Sequence, residues 1–110
     1  MTTQIVFQQG SERIAIRIIG DNILFIDLKT NMMSPIEGLS ISKAGTIKEH
    51  PDLKDDPEWK QKAIERFVAK IKAFKTETEK TNWIIEEMKS MSYIPLYKQR
   101  NGFRAEKIKN

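Results

Sequence analysis

Five cations and three aromatic rings crowd the last eighteen residues of this chain. Lys98, Arg100, Arg104, Lys107 and Lys109 stand there against a single acid, Glu106, with Tyr93, Tyr97 and Phe103 among them. Elsewhere the charges balance. Residues 1–50 carry five basic and five acidic side chains and residues 51–92 carry nine of each, so the net charge of +4 belongs to the C-terminal segment.

Ammonium and guanidinium groups neutralise phosphates and release their counterions, and flat rings stack on unpaired bases. The segment therefore reads first as a grip for DNA or RNA. Lys98, Arg100, Arg104, Lys107 and Lys109 would meet phosphates, and Tyr97 and Phe103 would meet bases. An acidic protein partner is the second expectation. Against both stands the ordinary behaviour of a chain end, which frays and carries lysines for solubility. What decides between them is whether the terminal cations join Arg13 and Arg17 in one patch.

Two further features compete with bland readings. Lys62, Arg66 and Lys70 form a row at i, i+4 and i+8 that could extend a phosphate-binding surface. Glu58 stands four residues before Lys62, however, which favours ordinary pairing along a helix. Trp83 lies on a helical wheel far from Ile84, Ile85, Met88 and Met91. It either packs against the preceding helix or the C-terminal hairpin, or stands out as the anchor of a protein interface, with a homodimer among the outcomes.

Catalytic signals are thin. One histidine, His50, without any cysteine makes no metal cluster. Neither a Gly-x-Ser-x-Gly elbow nor a glycine-rich phosphate loop is present. Asp27-Leu28-Lys29 places an acid and a lysine two apart at the end of a strand, the spacing of a metal-dependent nuclease element, with Glu12 or Asp21 available as further carboxylates. That tripeptide is too common to carry the argument. The expectation is a binding protein, not an enzyme, with no cofactor and no metal.

To present these groups the chain must fold, and 110 residues suffice for one α+β domain with a single core. The lack of cysteine excludes disulfides and suits a reducing cytoplasm. The first residues show no export signal, and the longest apolar runs are too short to span a bilayer, so no membrane partner is expected.

Residues 1–41 read as an antiparallel β-meander of three or four strands. Ile5-Val6-Phe7, Arg13–Ile19 and Ile23–Leu28 are separated by Gly/Asn/Asp turns, and the fourth strand is expected over 36–41 after a wide turn at 29–35. In the second strand Ile14, Ile16 and Ile18 alternate with Arg13, Ala15 and Arg17, which makes one face apolar. Residues 42–55 read as a loop. Asp56-Pro57-Glu58 then starts a helix over 56–75, with Ala63, Ile64, Phe67, Val68, Ile71 and Phe74 as its stripe. Thr76-Glu77-Thr78-Glu79 has capping-box spacing and starts a second helix over 76–91. The two helices are expected to fold back as a hairpin on the sheet. Residues 92–110 follow as a basic β-hairpin or tail, turning at Asn101-Gly102.

Overall fold

Extended backbone favours β-branched side chains, and the N-terminal third is built from them. The computed structural model describes residues 2–36, 39, 41–100 and 105–108. Within it β1 (Thr2–Gln9), β2 (Glu12–Ile19) and β3 (Asn22–Asp27) form the expected meander. Gly10 (φ 60°) and Gly20 (φ 57°) occupy the left-handed region in the two tight turns, where a side chain would be strained.

The fourth strand differs from expectation. β4 is Met32–Pro35, not 36–41, and pairs with β3 from Leu24↔Pro35 to Asp27↔Met32. The wide turn expected over 29–35 contracts because Asn31 adopts positive φ (59°) and the Asp27 Oδ1 accepts from the Lys29 N–H at 2.9 Å. Ile36 and Leu39 are buried in the core instead of alternating along a strand.

The expected loop over 42–55 also holds more structure than its composition suggests. α1 (Lys43–Glu49) is capped by Ser42, whose Oγ accepts from the Gly45 N–H at 3.0 Å, and a 3₁₀ turn follows at Pro51–Leu53. Two longer helices come next, α2 (Trp59–Ala73) and α3 (Glu77–Ser90). α2 starts two to three residues later than the Asp56-Pro57 signal implies. Asp56 caps the turn ahead of it, accepting from the Glu58 N–H at 2.8 Å. Thr76 caps α3, accepting from the Glu79 N–H at 3.2 Å and donating to the Glu79 carboxylate at 3.0 Å.

The C-terminal segment enters the sheet. β5 (Ile94–Arg100) pairs with β1, and β6 (Glu106–Lys107) pairs with β5, giving six antiparallel strands in the order β4-β3-β2-β1-β5-β6. The Asn101-Gly102 turn, together with Phe103, Arg104 and Lys109, lies outside the described residues.

Register divides the sheet into two faces. Ile5↔Ile16↔Phe25 and Phe7↔Ile14 belong to the face that carries the helices, where they join Ile64, Phe67, Ile71, Ile84 and Met88 in the main core. The second face holds a smaller cluster, Val6, Ala15 and Ile26 with Leu28, Leu96 and Tyr97, in which no helix residue takes part.

Candidate nucleic-acid interface

This second face is the candidate site, and three rows of side chains cross it. The middle row runs Lys107–Tyr97–Val6–Ala15–Ile26–Met33. On one side lies Gln99–Gln4–Arg17–Leu24–Pro35. On the other lies Ile94–Gln8–Arg13, continued by Leu28, whose N–H donates to the Arg13 carbonyl. Among the described residues, no aspartate or glutamate holds a register position on this face. Glu12 and Glu106 alternate to the helix-bearing side, opposite Gln9 and Lys98.

The alternation of β2 places both arginines here. Arg17 is held in position: its Nε and Nη2 donate to the Gln4 Oε1 at 2.9 and 2.6 Å, and its Nη1 lies 3.5 Å from the Met33 sulfur. It is half-buried, two residues along the strand from the fully buried Ala15. Arg13 is exposed four residues away, about 13 Å along the strand. Lys107, also exposed, lies three strand spacings from β2, about 14 Å across the sheet.

A register shift between Val6 and Phe7 assists the ring. Val6 faces Tyr97 and Phe7 faces Pro95, so Leu96 is an extra residue on β5. Such a bulge re-aims side chains, and here the consecutive residues Leu96 and Tyr97 both join the cluster of the open face. Tyr97 is half-buried beside Val6.

The cations expected to act together are therefore divided. Tyr97 and Lys107 belong to the open face. Lys98 and Arg100 alternate to the helix side, opposite Ile5 and Thr3. Arg100 Nε lies 3.7 Å from the Glu77 carboxylate at the start of α3, so its charge already has a partner. Arg13 and Arg17 are the residues that sequence reasoning did not assign to the site. The alternation of β2 was the available signal.

The basic row of α2 is largely neutralised. Lys62 pairs with Asp56 at 2.5 Å, and Arg66 grips both oxygens of Asp52 at 2.5 and 3.1 Å. Those hydrogen bonds hold both aspartates below the usual carboxylate range. The partners come from the loop before α2, not from Glu58. Lys70 stands over the Phe74 ring at 5.5 Å. Trp83 packs against α2, with ring centroids 5.0 Å from Phe67 and 6.1 Å from Phe74, and is half-buried.

Asp27 engages its own turn through Lys29, and Asp21 lies beyond the opposite end of β3. Among the described residues no group of three or more His, Asp or Glu side chains could hold a metal ion. No helix among them is long and apolar enough to cross a membrane. No family model, curated protein or solved structure matches this chain.

Proposed function

We propose that the protein binds single-stranded nucleic acid, without catalysis, on the open face of its sheet. One observation carries the reading: a face on which no described aspartate or glutamate holds a register position presents Arg13, Arg17 and Lys107 around Tyr97, with Gln4, Gln8 and Gln99 between them. A sheet face with no helix packed on it, its middle row of Val6, Ala15 and Ile26 buried and its cations and half-buried Tyr97 around that row, suits splayed bases, which stack on the ring while cations track the phosphates. Amide side chains add donors and acceptors for base edges. Arg104, Lys109 and Phe103 would extend the same grip from the chain end.

The test is fluorescence anisotropy with labelled oligo-dT, oligo-U and a duplex of equal length, at 50 and 200 mM salt. Three neutralised phosphates on a single strand give a slope of log K against log salt of about −2, so a fourfold rise in salt weakens binding about twentyfold. Replacing both Arg13 and Arg17 by alanine should bring the slope to about −0.7. Tyr97→Leu keeps the apolar volume and should weaken binding by about 1–3 kcal/mol. Tight duplex binding, or an affinity indifferent to all these changes, would refute the reading.

A second reading rests on the edge strand β4. Met32 and Met33 are 67% and 55% exposed there, and Ile19 and Ile94 are also exposed. Apolar groups beside an unpaired sheet edge invite a second copy of the chain. Sedimentation across a concentration series separates the two readings, since apolar association responds little to salt whereas phosphate binding responds steeply.

A further inference from the structure

On the far side of the sheet, α1, α2 and α3 line a half-open cavity of about 530 Å³. This volume falls within the range of small-ligand sites. Its buried wall is apolar, with Leu39, Ile64 and Phe67, and the half-buried Trp83 closes one side. Ionisable groups reach it from all three helices. Glu49 and His50 come from α1 and its C-terminal cap, Arg66 and Lys70 from α2, and Glu87 from α3.

These groups are not equally engaged. Arg66 is held by both oxygens of Asp52, and Lys70 lies over the Phe74 ring. The two glutamates both line the cavity, and burial, with neighbouring Glu49 adding to it, pushes Glu87 up to about 7. The Ser90 hydroxyl lies 2.8 Å from Glu49 Oε1. Two carboxylates on the wall of one cavity repel each other and favour a cation between them.

We infer that this cavity binds a small hydrophobic primary amine, its ammonium between Glu49 and Glu87 and its apolar body against Phe67 and Trp83. The three N–H bonds of an ammonium can satisfy both carboxylates. An aromatic or branched aliphatic body would lie against Ile64 and Leu39. An alkyl ammonium stays charged from pH 6 to 8, as a lysine does, so binding displaces the proton held by Glu87. Affinity therefore rises with pH up to about 7, by as much as tenfold per unit, and then levels off. The open sheet face takes no part.

Phenethylamine is the probe, with 2-phenylethanol as its neutral counterpart and 3-phenylpropionate as its anionic one. Binding is followed by the fluorescence of Trp83 in a Trp59→Phe background and by NMR shifts of the Ile64 and Leu39 methyls. Phenethylamine should bind saturably, and the alcohol at least tenfold more weakly. Glu87→Gln, an isosteric change that leaves the fold intact, should weaken the amine about tenfold and abolish its pH dependence. Equal binding of the alcohol or the propionate would overturn the assignment. So would an amine affinity weaker than about 1 mM at pH 8, or one that Glu49→Gln and Glu87→Gln both leave unchanged.

Discussion

At the residue scale, the pH behaviour of Glu87 can be worked out. Its folded pKa of about 7 exceeds the ordinary 4.5, so between those values the native state holds more protons than the unfolded chain. Stability then falls as pH rises across that window and is level above it. Asp52 and Asp56 act in the opposite sense. Arg66 and Lys62 lower their folded pKa below 3.8, so their contribution is present above that value and is lost as pH falls through the folded pKa. A denaturation midpoint measured from pH 3 to 9 should peak at about pH 4 to 4.5, above the aspartate window and below the fall caused by Glu87. Glu87→Gln should flatten the alkaline limb and Asp52→Asn should soften the acid limb. Both aspartates are at the surface, so the acid effect is the smaller. No local pattern announced the carboxylate pair: Glu49 and Glu87 are 38 positions apart in the sequence and meet only because α1 and α3 close on one cavity.

At the element scale, local chemistry was legible wherever it is self-contained. The alternation in β1–β3, the stripe of α2 and the Thr76 capping box each carry their own signal, and each element forms. α1 was hidden because Gly45 and Thr46 have poor helix propensity. The Ser42 cap, the burial of Thr46 and contacts from outside the helix, such as the Ser90 hydroxyl on Glu49, sustain it. β4 was displaced because one residue at positive φ, Asn31, shortens the turn, a choice that composition does not dictate. The stop of α3 is the opposite case. It was expected near Met91, ahead of Pro95, and falls there: Met91 is the C-cap and Ser92 follows in the left-handed region (φ 70°). Its N–H donates to the Lys89 carbonyl at 2.9 Å, and the Tyr93 N–H donates to the Met88 carbonyl at 2.9 Å, the two bonds of a Schellman motif. Glycine suits that position better than serine. Ser92→Gly should stabilise the protein by about 0.5–1 kcal/mol, raising Tm by a few degrees in a thermal melt. Ser42→Ala should cost about 1 kcal/mol through the missing cap.

At the scale of the whole molecule, the chain end is an integral strand, and this changes what truncation tests. Residue alternation told which side chains of β5 share a face. It could not tell that β5 would dock on β1, more than 80 residues earlier, because strand pairing across that distance leaves no local trace. Cutting the chain after Tyr93 removes β5, bares the edge of β1 and uncovers Val6, so the product should aggregate or lose its cooperative melt. Cutting after Arg100 leaves β1 with both neighbours, and this shorter chain should still unfold in one transition. It retains Arg13, Arg17 and Tyr97 but lacks Lys107, Arg104 and Lys109. Oligonucleotide binding should persist with a salt slope shallower by about 0.7 for each phosphate that is no longer neutralised. If the folded chain ending at Arg100 binds no oligonucleotide at all, the grip lies in the basic terminus and not in the sheet face. If it binds as well as the full chain with an unchanged slope, the terminal cations contribute nothing and the two arginines of β2 act alone.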